Sequence, residues 1–155
     1  MPCICRKDIE ISTGCESLCI EINCDIYKVI LCVCCRPPDQ TADEIHDFTL
    51  DIQTCIDQCY NEKPDCIIFT GDFNDRSVIF YEDHPTSEIG TKLRDIVLCN
   101  NMFQLIDQPT HFTDTSAYIL DLMITDSPGY ISESGTLNPI CDLHHVPIYT
   151  KYYPL

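Results

Sequence analysis

The stretch Asp65-Cys66-Ile67-Ile68-Phe69-Thr70-Gly71-Asp72-Phe73-Asn74 decides the fold. Cys66 to Phe69 is wholly apolar and rich in β-branched and aromatic residues, which reads as a short strand buried on both faces. The run then ends in Thr70-Gly71-Asp72-Phe73-Asn74. Gly71 permits a sharp backbone turn, and Asp72 and Asn74 project from the end of a rigid strand, where α/β sheets carry their chemistry. A plain strand-to-loop turn uses the same residue types, so the rest of the chain must decide.

Working outward, Leu18 to Ile22 and Lys28 to Cys34 are apolar runs separated by Asn23-Cys24-Asp25, a hairpin pattern. Arg36-Pro37-Pro38 ends the second run. Thr41-Ala42-Asp43-Glu44 is a capping box. Ile45, Phe48, Ile52, Cys55, Ile56 and Cys59 follow at helical spacing. Beyond Asn74, a polar loop over 75–87 precedes a second amphipathic helix carrying Ile89, Leu93, Ile96 and Val97. Ser87 is its expected cap, and it closes near Asn100-Asn101. Met102 to Ile106 reads as a short strand, Gln108 to Thr113 as a loop, and Ala117 to Thr125, Tyr130 to Leu137 and Val146 to Tyr153 as strands. Strands alternating with helices, plus hairpins, predict one mixed-sheet α/β domain over 1–155.

Composition narrows the function. Apolar residues make up 45% of the 155, as in globular domains. No run approaches the roughly 20 apolar residues of a membrane span, and the first ten residues lack a signal-type apolar segment. An intracellular, nuclear or cytoplasmic protein with no membrane partner is expected. The net charge of −16, from 25 acidic and 9 basic residues, opposes tight non-specific DNA binding. It is compatible with a hydrolase whose carboxylates hold a cation that meets the phosphate. Thirteen cysteines, eleven of them in the first 66 residues, include strand positions Cys19, Cys32, Cys34 and Cys66. Reduced structural thiols are expected. Zinc is the alternative, drawn from Cys3-Ile4-Cys5 and Cys32-Val33-Cys34-Cys35, although neither has two-plus-two spacing.

Asp121, between Leu120 and Leu122, is costly in an apolar strand unless paired or at an edge facing water. With Asp72, Asn74 and His145 it makes a set of polar residues at strand ends. An Asp–His pair beside a second carboxylate and an amide suits phosphodiester hydrolysis.

Thr70-Gly71-Asp72-Phe73-Asn74, Leu120-Asp121-Leu122-Met123-Ile124-Thr125 and His145-Val146-Pro147-Ile148 resemble, in order, three motifs of the endonuclease/exonuclease/phosphatase superfamily. Glu16 to Ile22, Arg36-Pro37-Pro38, Gln108-Pro109-Thr110 and Ser116 resemble its non-LTR retrotransposon branch, so the likeness runs from about 16 to 149. The resemblance implies a four-layer sandwich, two packed mixed β-sheets flanked by helices, incomplete at the N-terminus. It implies Mg2+ as cofactor and DNA as partner. Asp72 would orient or activate a water, Asn74 would contact the phosphate, and Asp121 would pair with His145, which stabilises the transition state or transfers a proton.

Three departures imply impaired or absent endonuclease activity. The opening strands with the family's metal-binding Glu have no counterpart before Glu16. Cys35 replaces a Tyr. His144 stands at the metal-binding Asp position, where imidazole is a poor ligand for Mg2+. Asp142 shares a strand face with His144 but falls about 6–7 Å further along. Two other functions stay open: a non-catalytic relic binding a protein partner at an uncovered sheet edge, and a small-molecule or lipid phosphatase.

Overall fold

A central sheet grows out of the predicted hairpin. The computed structural model describes residues 2–75, 87–139 and 144–153. β1 (Cys3–Cys5), β2 (Glu16–Cys24) and β3 (Tyr27–Cys35) form an antiparallel meander. The hairpin is longer than its apolar cores, because pairing continues out to Cys24 opposite Tyr27 and leaves a two-residue turn at Asp25-Ile26. Asp25 takes the left-handed conformation (φ 52°) that such turns need.

Helix α1 (Ala42–Asn61) carries the chain over to β4 (Cys66–Asp72), which lies parallel to β3. The capping box forms as the sequence predicts: the Thr41 hydroxyl accepts from the Glu44 N–H, and the Glu44 carboxylate accepts from the Thr41 N–H. Phe48, Ile52, Cys55, Ile56 and Cys59 form its buried stripe. Helix α2 (Glu88–Cys99), capped by the Ser87 hydroxyl, buries Ile89, Leu93 and Val97. β5 (Phe103–Gln104) then reaches the sheet edge.

β6 (His111–Phe112) and β7 (Ala117–Tyr118) form a small hairpin where a loop was expected. β8 (Asp121–Thr125) pairs antiparallel with β4. The single strand expected over 117–125 is therefore broken in two. The Leu120 and Asp121 N–H groups both donate to the buried Thr110 hydroxyl, at 3.0 Å each, in place of a ladder partner. A 3-10 turn (Pro128–Tyr130) leads to β9 (Ile131–Thr136), which pairs with β10 (Ile148–Tyr152). Among the described residues the main sheet has the order β1-β2-β3-β4-β8-β5, with the two hairpins as separate two-stranded sheets. Most of the loop expected over 75–87 lies outside the described residues.

The segment before Glu16 does more than the sequence suggested. Its strand β1 covers Ile20 to Ile22 of β2, and the Arg6 N–H continues the pairing to the Cys19 carbonyl at 2.8 Å. Ile9 and Ile11 enter the core. The Arg6 guanidinium bridges Asp8, Glu21 and Glu62, tying this segment to β2 and to the end of α1. The resemblance implies an uncovered sheet edge; here β2 is covered at Ile20–Ile22 by three-residue β1, which forms the edge.

Candidate active site

Strand register sets the site. β4 and β8 run antiparallel with Asp72 directly opposite Asp121, so the two carboxylates share one sheet face. His145 joins them through an isolated antiparallel bridge with His111. Its Nδ1 lies 2.9 Å from Asp121 Oδ2, and its Nε2 lies 4.0 Å from Asp72 Oδ2. The first is a hydrogen bond; the second is too long for one. Four residues chosen from sequence, Asp72, Asn74, Asp121 and His145, therefore stand together.

Each is held by a specific local cause. Gly71, at φ 133°, passes so close to β3 that an added Cβ would sit 2.0 Å from the Cys34 carbonyl oxygen. Only glycine allows β4 to end there. Asn74 is left-handed (φ 46°), and its N–H donates to Asp72 Oδ1 at 2.8 Å, which orients the carboxylate. The Asn74 amide nitrogen donates to the Arg36 carbonyl at 2.6 Å, so this group clamps the loop while the residue lines the cleft.

Arg36 is buried at 2% exposure. Its guanidinium donates to the Phe73 and Asn74 carbonyls at 2.7 and 2.8 Å, and to Gln40 at 2.8 Å. Sequence reasoning quoted Arg36 within a motif and assigned it no task. Its task is to satisfy the carbonyls of the turn that carries Asp72 and Asn74. Thr110 was likewise quoted without a role. Its hydroxyl fixes the start of β8, and its carbonyl accepts from the Val146 N–H at 2.8 Å, so one fully buried residue sets both Asp121 and His145.

His111 was missed altogether. Its ring meets that of His145 edge to face at 4.7 Å, and it lines the cleft. Its buried Nδ1 has no hydrogen-bond partner among the described residues. Burial, then the neighbouring His145 and His144, hold it below the ordinary imidazole range, so it stays neutral near pH 7. No spacing signal marks such a residue, because its contact arises only from the bridge between two loops.

Burial, then the Asp121 charge, raise Asp72 above the ordinary carboxylate range, against the opposing Asn74 N–H. Cys35 stands beside Asp72 across β3 and β4, where its thiol is raised by burial and by the Asp72, Glu16 and Asp121 charges. The cleft next to this cluster has a volume of about 670 Å³, bounded by Arg36, Asn74, His111, Tyr118 and His145 among others.

Two strand-borne carboxylates joined by a bridged histidine at the end of a mixed sheet fit the endonuclease/exonuclease/phosphatase class. More particularly, the chain belongs to the endonuclease-reverse transcriptase family, whose pattern matches residues 29–149. The endonuclease domain of TRAS1, a telomere-specific non-LTR retrotransposon, superposes with a TM-score of 0.78 at 17% identity, over 98% of this chain and 67% of that one. The AP endonuclease LMAP from Leishmania major gives 0.67 at 11% identity, over 90% and 55%. The inositol polyphosphate 5-phosphatase domain of a synaptojanin gives 0.59 at 17%, over 92% and 52%. At these identities the likeness is one of fold. The chain spans two-thirds of the first structure and about half of the other two. No protein of curated function matches it in sequence.

Metal-dependent chemistry is typical of this class, and the donor set here fits one cation. Asp72, Asp121 and His145 each present a ligand atom, all within 4.8 Å of one another. Burial, with the Asp121 charge beside it, raises Asp72, and a bound cation would offset that cost. His144 stands apart from this set: its Nδ1 faces the Phe112 carbonyl at 3.2 Å and its ring leans on His111. Asp142 lies outside the described residues. No helix among the described residues is long and apolar enough to cross a membrane.

Proposed function

We propose that this domain is a magnesium-dependent phosphodiester hydrolase of the retrotransposon endonuclease kind, acting on DNA, with turnover well below that of a complete site. The observation that carries it is His145 poised between two carboxylates, 2.9 Å from Asp121 and 4.0 Å from Asp72. Asp121 holds the imidazole by Nδ1, leaving Nε2 to face Asp72 and the phosphate. A water between Asp72 Oδ2 and Nε2 would lie within hydrogen-bond reach of both. Asp72, raised toward the working range of a general base, would take that water's proton. Asn74 positions the Asp72 carboxylate through its N–H. Magnesium, when bound by Asp72 and Asp121, would polarise the phosphate and acidify bound water. Low turnover follows from His144, which turns to a backbone carbonyl where an oxygen ligand would complete the coordination.

A phosphatase acting on a small phosphorylated molecule is the second reading, favoured by the −16 charge, which opposes a polyanionic substrate. Binding of a protein partner at the β1 edge is the non-catalytic alternative.

The test is nicking of supercoiled plasmid with magnesium, run beside Asp72→Ala and His145→Ala. Slow nicking by the unaltered chain is expected, lost on either substitution and in EDTA. Activity that survives both substitutions would place the chemistry elsewhere. Fast nicking that both substitutions abolish would keep the site and refute the impairment. Hydrolysis of inositol phosphates with no nicking would favour the second reading.

A further inference from the structure

Four cysteines converge in the core, away from the cleft. Cys19 and Cys32 are direct partners across the antiparallel β2–β3 pair, so their side chains share one face. Cys55 and Cys59 lie one turn apart on the buried stripe of α1, which covers that face. All four are at most 2% exposed. The Sγ atoms of Cys19, Cys32 and Cys55 lie within 4.8 Å of one another, with Cys32 and Cys55 at 4.0 Å. Cys59 lies one turn beyond Cys55 on the same buried stripe, outside the set whose Sγ atoms lie within 4.8 Å of one another, so its side chain would turn to complete a site. Cys32 precedes Cys35, the register partner of Asp72, by three residues. At strand rise the cluster therefore sits about 10 Å along the sheet from the candidate active site.

We propose that Cys19, Cys32, Cys55 and Cys59 form a structural site for one Zn2+, bound as a tetrathiolate. Zinc takes four thiolates at about 2.3 Å in a tetrahedron, whose sulfur–sulfur edges are then about 3.8 Å. The 4.0 Å pair is already at that spacing. Two ligands from a strand pair and two from successive helix turns supply a closed, water-free set of the structural type. A set of Sγ atoms within 4.8 Å of one another is the size for one ion. Small apolar packing is the bland explanation for a buried cysteine. It accounts for Cys34 and Cys66, which stand outside the cluster; Cys66 lies against the Thr125 hydroxyl. It does not account for thiols gathered on one core face from three elements.

Binding replaces four thiol protons by one Zn2+, and the four protons leave to solvent. In the thiol form, Cys55 and Cys19 donate to the Ile9 carbonyl at 2.9 and 3.5 Å. That carbonyl must turn away once they are deprotonated, and it belongs to an irregular segment between β1 and β2 that is free of ladder constraints. The site would weld α1 to the hairpin that the rest of the sheet extends.

The full chain is to be made in zinc-supplemented medium and purified with a non-chelating phosphine reductant. Elemental analysis is expected to find one zinc per chain. Exchange with Co2+ is expected to give the intense visible bands of a tetrahedral tetrathiolate. Cys55→Ser with Cys59→Ser should remove both signals, while Cys34→Ser with Cys66→Ser should keep both. Should the first double variant fail to fold, the Co2+ spectrum of the unaltered chain decides. A folded chain without stoichiometric metal and without cobalt bands overturns the proposal. So does iron in place of zinc, a Cys19–Cys32 disulfide in the peptide map, or metal retained by the Cys55/Cys59 variant.

Discussion

Asp72 and Asp126 are both raised above the ordinary carboxylate range, chiefly by burial. Asp72 is raised where chemistry uses it. Asp126 lies away from the cleft, just beyond the end of β8, with Oδ1 accepting from the Ile67 N–H at 2.9 Å, so it exposes the energetic cost alone. Between the ordinary aspartate value of 3.8 and its raised folded value, the folded chain holds a proton on Asp126 that the unfolded chain has released. Stability therefore falls as pH rises through that window, and the cost is complete above it. Asp126→Asn keeps the acceptor for Ile67 and removes the buried charge. It is expected to raise Tm at pH 7 by about 2 °C, with the gain shrinking toward zero below pH 3.8 and nicking unchanged. Thermal melts across that range check it, and a destabilised variant at pH 7 would show that the Asp126 charge is satisfied.

Among the elements, β4 carries the greatest constraint. It is buried on both faces and pressed against β3 at the point where its chain turns into the site. Gly71→Ala would bring a methyl group to 2.0 Å from a backbone oxygen in a conformation that L side chains avoid. The neighbour is backbone in a central strand, so it cannot yield cheaply. A loss of at least about 4 kcal/mol is expected, a large part of the stability of a domain. Circular dichroism melts of the variant decide this, and a Tm close to the parent's would mean that β3 and β4 separate easily. The same element logic explains Thr110 and Arg36. Each satisfies backbone groups that a sheet ladder would otherwise need, at the two places where the ladder stops to make a site.

At the scale of the molecule, the first eleven residues act as cover. Arg6 and Glu21 pair at 2.7 Å with only 12% and 13% of their side chains exposed, and Glu62 closes the same network at 2.8 Å. Removing the cation leaves Glu21 nearly buried with the Asn23 amide as its remaining hydrogen-bond partner. Arg6→Ala is expected to cost about 3 kcal/mol. It should also loosen β1, and so open the β2 edge to pairing between chains. Urea midpoints give the first quantity, and light scattering against concentration gives the second. An unchanged midpoint with no association would show that β1 and the core residues Ile9 and Ile11 hold the segment without Arg6.

The sequence by itself determined the helices, the central strand and the set Asp72, Asn74, Asp121 and His145. Those signals are local: a capping box, a helical stripe, an apolar run ending in Gly-Asp-Phe-Asn, and a carboxylate out of place among leucines. It also held the motifs whose order matches the family now shown. What only the tertiary structure decided is pairwise and long-range. The break between β7 and β8 comes from the Thr110 hydroxyl, ten residues away from Leu120. His111 reaches His145 only through a bridge between loops. β1 is recognisable by its partner rather than by its three residues. The four thiols show no metal-ligand spacing in the chain, because two are brought opposite by hairpin register and two by helical periodicity. Register and crossing geometry belong to the packed molecule, and a one-dimensional pattern records only the residues that such geometry will use.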